Sequence, residues 1–140
     1  MTTHLFVYGS LMPHTGGTFA RAERTRLAND STIAGPASLM GRLFDLGDYP
    51  GLVIPPNGAG AAAVHGVLLR LKDPDATFGW LDPFEDIEPG RDPEMNAYAR
   101  ILGSVTTDGG DEIATWVYVM RRVPAGAREI SSGRWHASSF

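Results

Sequence analysis

Apolar side chains recur along this chain with two different periods, and each change of period marks a new element. Residues 4–8, "HLFVY", form a short run rich in β-branched and aromatic side chains, and so read as a strand. Further strands are expected at 37–47 ("ASLMGRLFDLG"), 51–54 ("GLVI") and 64–71 ("VHGVLLRL"), with Gly, Pro and Asn clusters between them. Several carry apolar residues on both faces. In 64–71, Val64 and Leu68 fall on one side and Val67, Leu69 and Leu71 on the other, because successive strand residues alternate. A strand buried on both faces belongs to a sheet that closes on itself or is covered by helices.

The period lengthens at 18–28, "TFARAERTRLA", and again at 73–90, "DPDATFGWLDPFEDIEPG". In the second stretch Asp73 suits an N-cap, Pro74 the first helical position, and Asp75 the positive end of the helix dipole. Phe78 and Leu81 mark its buried face, and Pro83 is expected to limit it to about two turns. Alternation returns at 97–107 and 112–120, on either side of "DGGDE", a hairpin signal because glycine accepts the positive φ of a tight turn. Residues 124–140 read as irregular. There is neither a repeat nor a linker, so a single domain over 1–140 is expected.

Composition narrows the function classes. The 17 Gly and 10 Pro among 140 residues describe a chain that turns often. With 12 Lys and Arg against 16 Asp and Glu, the net charge is -4, and there is no basic stripe of the kind a phosphate backbone requires. No cysteine is present, which excludes disulfides, thiolate nucleophiles and Cys-based zinc sites. No stretch approaches the roughly 18 uninterrupted apolar residues of a membrane span. The expectation is a cytoplasmic protein that engages neither nucleic acid nor membrane.

Within "HLFVYGSLMPH" (4–14) the first strand breaks off at Gly9 and Ser10 before the apolar run resumes. Ser10 and His14 are a candidate nucleophile and base, but the second glycine of a G-x-S-x-G elbow is missing. The four histidines, His4, His14, His65 and His136, lack ligand spacing, so no metal is expected. No phosphate-binding G-x-x-x-x-G-K surrounds the break. Asp82, Glu85, Asp86 and Glu88 crowd the end of the second helix, where most should be solvated. Glu85 differs. It lies four residues after Leu81, so a helical turn persisting past Pro83 would aim it at the apolar face, where desolvation raises a carboxyl's pKa.

Taken together and in order, "FVYGSL", "GRLFDLGDYPGLV", "VHGVLLRL", "LDPFE", "YARILGSV", "TWVYVM" and "ISSGRW" resemble the γ-glutamylcyclotransferase-like family, in its small AIG2-like branch. The resemblance implies an α+β fold, a small mixed β-barrel with short flanking helices. It also implies an enzyme that cyclises the γ-glutamyl group of a small amine or peptide to 5-oxoproline without a cofactor. In such proteins the Y-G-S-L turn offers main-chain N–H groups to substrate, which points to Tyr8, Gly9, Ser10 and Leu11. The Glu of "LDPFE" is the acid/base, which points to Glu85, and the late tyrosine, here Tyr118, borders the pocket and positions Glu85 or substrate. Trp116 shares a strand face with Tyr118, as Tyr98 does with Arg100, which is placed to pair with a carboxylate. The stretch 86–97, "DIEPGRDPEMNA", is an insertion relative to the pattern and is expected near the pocket mouth. A monomer or homodimer is expected, and the alternative function is a binding module that keeps the pocket without turnover.

Overall fold

The computed structural model describes residues 2–15 and 17–136. Five strands close into a barrel: β2 (Ser31–Asp45), β4 (Ala62–Leu71), β1 (His4–Val7), β6 (Glu112–Met120) and β5 (Tyr98–Thr107), in that spatial order. Closure is made by β5 returning to β2, with Ala37 opposite Thr107 and Ser38 opposite Thr106. Neighbours are antiparallel except β1 and β6, which run parallel, so the barrel is mixed. Past the barrel, the end of β2 also pairs with β3 (Pro50–Val53) and with β7 (Arg128–Glu129). Two helices, α1 (Arg21–Asn29) and α2 (Pro74–Phe84), lie outside.

The double-sided strands account for this arrangement. Val64 and Leu68 join Phe6, Leu39, Val105 and Val117 in a cluster that fills the barrel. Val67, Leu69 and Leu71 instead face outward and pack with Leu27 of α1 and with Phe78 and Leu81 of α2. Each such buried side chain contributes about 1.5–3 kcal/mol, so both layers hold the fold. The β5–β6 hairpin turns at the glycines, with Gly110 at φ 88° donating its N–H to Thr107 O at 2.9 Å.

Three elements depart from expectation. β2 starts at Ser31 rather than 37, because Gly35–Pro36 makes a bulge instead of a break, with the register shifting between Ile33 and Gly35. The tail contributes the two-residue β7, and residues 137–140 of that tail lie outside the described residues. α2 runs 11 residues and carries Pro83 inside its last turn. The ring deprives Gly79 O of a helical donor, but Gly79 is exposed and water can supply one.

Candidate active site

A cavity of about 330 Å³ opens at the C-terminal end of β1, and Tyr8, Gly9, Ser10, Leu11, Glu85 and Tyr118 all lie in its wall. Three chain segments with no sequence proximity are thereby brought together: the turn after β1, the end of α2, and the end of β6. Every tyrosine of the chain, Tyr49 and Tyr98 included, lines this one cavity.

The turn is held from behind. Gly9 O accepts the Met12 N–H at 3.0 Å and the Thr15 hydroxyl at 3.2 Å. Arg24 is buried on the same face of α1 as Leu27, and its guanidinium donates to Ser10 O at 3.0 Å, Phe19 O at 3.2 Å and Gly17 O at 2.9 Å. In a trans peptide the N–H points opposite to the preceding C=O. Tying Gly9 O and Ser10 O down therefore turns the N–H groups of Ser10 and Leu11 the other way, and neither has an acceptor among the described residues. Glycine at position 9 is required for a steric reason. A Cβ there would sit 2.6 Å from the ring of Pro50, another wall residue, and Gly9 has no positive φ.

Glu85 is the C-cap of α2. Asp86 follows in the left-handed region at φ 60°, the Asp86 N–H bonds Pro83 O at 3.0 Å and the Ile87 N–H bonds Asp82 O at 2.9 Å. This Schellman closure ends the helix and fixes where Glu85 leaves it. Glu85 is half-buried as a residue, yet its carboxyl is well enclosed by protein. Desolvation first, and the charge of Asp82 second, raise its pKa to about 7.

Asp82 is not a solvated charge. Arg100 grips it with both ends of its fork, Nε to Oδ1 at 2.9 Å and Nη2 to Oδ2 at 3.1 Å, and the Tyr118 hydroxyl donates to Oδ1 at 2.6 Å. Arg100 in turn lies over Phe78 (3.9 Å) and Trp116 (4.5 Å), which fixes the fork. Tyr118 thus borders the cavity, but its hydroxyl is spent on Asp82 rather than on Glu85. Tyr8 is similarly occupied, donating to Tyr118 O at 2.7 Å. The Tyr98 hydroxyl is the exception: buried in the cavity wall, it has no partner among the described residues. Burial first, then the charge of Glu85, raises the Tyr98 pKa and keeps the phenol protonated.

The sequence reading missed Arg24 and Tyr98 as site residues. Arg24 is one of three arginines in its helix, and only its three-residue spacing from Leu27 sets it apart. Ser10 and His14 do not form a pair. Ser10 faces the cavity, whereas His14 is exposed and borders a different groove. The 86–97 stretch reaches the cavity only at its ends, Asp86 and Ala97, while its middle borders a neighbouring groove. Among the described residues no group of His, Asp and Glu is placed to hold a metal ion, and no helix is long and apolar enough to cross a membrane.

Comparison with known proteins gives a consistent result. The family described as gamma-glutamyl cyclotransferase, AIG2-like, matches residues 5–137. The gamma-glutamylcyclotransferase family protein YtfP of Escherichia coli (strain K12) is 35% identical over 131 residues, which cover 94% of each chain. Among solved structures, YkqA from Bacillus subtilis superposes with a TM-score of 0.66 at 25% identity; the match covers 96% of this chain but only 40% of that one. An AIG2-like protein from Mus musculus superposes at 0.64 with 21% identity, over 88% of this chain and 80% of that one, which speaks to the fold.

Proposed function

The chain belongs to the gamma-glutamyl cyclotransferase, AIG2-like family, and from that premise we propose that it is an enzyme converting a small γ-glutamyl amide to 5-oxoproline and a free amine. The observation that carries this reading is that Glu85 lines one small cavity together with Ser10 and Leu11, whose N–H groups have no acceptor among the described residues. At about 330 Å³ the cavity is at the lower end of the range for small-molecule sites, about 300–1,000 Å³, and suits a substrate of this size.

The chemistry needs no enzyme nucleophile. The substrate's α-ammonium gives one proton to the Glu85 carboxylate, and the freed α-nitrogen attacks the γ-carbonyl carbon to close a five-membered ring. The carbonyl oxygen takes up negative charge, which the N–H groups of Ser10 and Leu11 receive. One well-aimed donor of this kind contributes roughly 3–4 kcal/mol. As the bond to the leaving nitrogen breaks, Glu85 returns its proton to that nitrogen. The second proton, still on the ring nitrogen, passes through the regenerated carboxylate to the released amine. The products are 5-oxoproline, its lactam nitrogen neutral and its α-carboxylate unchanged, and an ammonium, so charge and protons balance with nothing else entering. Holding the amine against the carbonyl contributes up to about 7–11 kcal/mol, so folding the substrate is the larger task. A carboxyl with a pKa of about 7 is matched to accepting and returning a proton at neutral pH.

The test is a panel of γ-glutamyl amines and dipeptides assayed for 5-oxoproline. Product is expected with at least one member, and Glu85→Gln is expected to slow its formation by about 10²–10⁴-fold while binding persists. Saturable binding without product from any member would instead identify a binding module.

A further inference from the structure

We propose that the mouth of the cavity is a subsite for the leaving amine and that it selects a flat aromatic amine bearing no carboxylate, as in a γ-glutamyl arylalkylamide. The inference rests on the cyclisation reading and names its substrate class. The cavity has an inner and an outer part. Tyr8, Leu11, Tyr98 and Tyr118 are buried, whereas Phe19, Tyr49 and Phe84 are 40%, 37% and 39% exposed and line the same space. The γ-glutamyl group belongs inside, with Glu85 and the turn, so the group on the amide nitrogen must project past the exposed rings.

Phe19 and Tyr49 come from different loops and stack with centroids 5.3 Å apart at 16°, leaving a flat apolar surface in contact with water. Three large apolar side chains exposed at one opening signify a binding surface. Charge selects further. Glu85 and Asp86 are the only Asp or Glu in the lining, and among the described residues no Lys or Arg lines the cavity. Two nearby guanidiniums are committed: Arg91 to Asn96 Oδ1 at 2.7 Å and Asp86 Oδ1 at 3.2 Å, Arg24 to the carbonyls of Ser10, Gly17 and Phe19. An amino acid as leaving group would bring its carboxylate to Glu85 and to the Asp86–Arg91 pair, with no Lys or Arg among the lining residues to receive it. An aromatic amine would cover the rings and meet no repulsion.

Four substrates separate ring from charge: γ-glutamyl-2-phenylethylamide, γ-glutamylethylamide, γ-glutamylphenylalanine and γ-glutamylalanine. In kcat/KM the phenylethylamide should exceed the ethylamide by about tenfold, the scale of one aromatic contact. It should also exceed γ-glutamylphenylalanine. Phe19→Ala and Tyr49→Ala should each shrink the phenylethylamide-to-ethylamide ratio, while Phe19→Tyr and Tyr49→Phe preserve it; a ratio is unaffected by loss of folded protein. Calorimetry on Glu85→Gln supplies an arm independent of turnover. Tighter binding of the phenylethylamide by the variant, with no 5-oxoproline formed from any substrate by the parent, would keep the subsite and remove the cyclisation reading. Product from all four at similar rates would keep cyclisation and overturn the subsite. So would faster turnover of the carboxylate-bearing pair, or self-association that Phe19→Ala abolishes without changing the ratio.

Discussion

The barrel interior and the layer outside it are built from the same strands but treat polar groups differently. Inside, the few polar atoms are satisfied locally: the Tyr8 hydroxyl bonds Tyr118 O and the Thr115 hydroxyl bonds Trp116 O. Outside, Tyr98, Trp80 and Trp135 bury polar atoms that have no partner among the described residues, and Glu85 sits where its charge is disfavoured. Leaving a buried polar group unpaired costs about 1–3 kcal/mol, so these atoms of the outer layer gain from a partner that water or a ligand can bring. The difference teaches where this fold places chemistry. A closed barrel with a satisfied core can tolerate a strained seam beside it, and the seam is where a ligand has something to gain.

The largest expected effect falls in the seam. Glu85→Gln should lower the rate of 5-oxoproline formation by about 10²–10⁴-fold, the usual worth of a general acid/base. The same substitution should stabilise the protein in a pH-dependent way. With the folded pKa raised to about 7 from an ordinary 4.5, the native state holds a proton that the unfolded state has lost across that window. Stability therefore falls as pH rises from about 4.5 to 7, and the full cost, on the order of 3 kcal/mol, stands above it. Melting curves should show Glu85→Gln gaining over the parent at pH 8 and gaining almost nothing at pH 4.

Next in size is a cavity in the interior. Leu68→Ala should cost about 2–5 kcal/mol in denaturant unfolding while leaving KM for any substrate nearly unchanged in the protein that remains folded. Arg24→Ala should act in the outer layer and on the turn, because it releases Ser10 O of the turn together with Gly17 O and Phe19 O of the segment that leads into α1. A loss of about tenfold or more in kcat, partly restored by Lys, is expected from a misaimed Leu11 N–H. Smallest and most diagnostic is a pair of hydroxyl deletions. Tyr8→Phe should destabilise by about 1 kcal/mol, since it strands Tyr118 O. Tyr98→Phe should be neutral or stabilising, since it removes an orphan, yet should weaken substrate binding. Equal losses of stability in the two would erase the distinction between the layers.

Much of this was legible in the chain, and the reason differs by element. The two-sided strand at 64–71 announced closure because its alternation is complete, and the hairpin at 108–111 announced itself through its glycines. The start of β2 was hidden because Thr32, Ile33 and Ala34 are all exposed and carry no alternation. That Glu85 turns toward an apolar enclosure was legible through its spacing from Leu81. Asp82 was misjudged as solvated, since its partners Arg100 and Tyr118 lie 18 and 36 residues away and only the β5–β6 register brings them to it. The same holds for Tyr98: an unpartnered hydroxyl is a property of the packed structure and has no signature in a sequence.

The most direct test of the central claim is the pH dependence of kcat/KM for 5-oxoproline formation, measured for the parent and for Glu85→Gln. The account predicts a limb in the parent, rate falling with acid below an apparent pKa of about 7, and no such limb in the residual activity of Glu85→Gln. A parent rate that is flat down to pH 5, or a Glu85→Gln variant that retains both the rate and the limb, would contradict it.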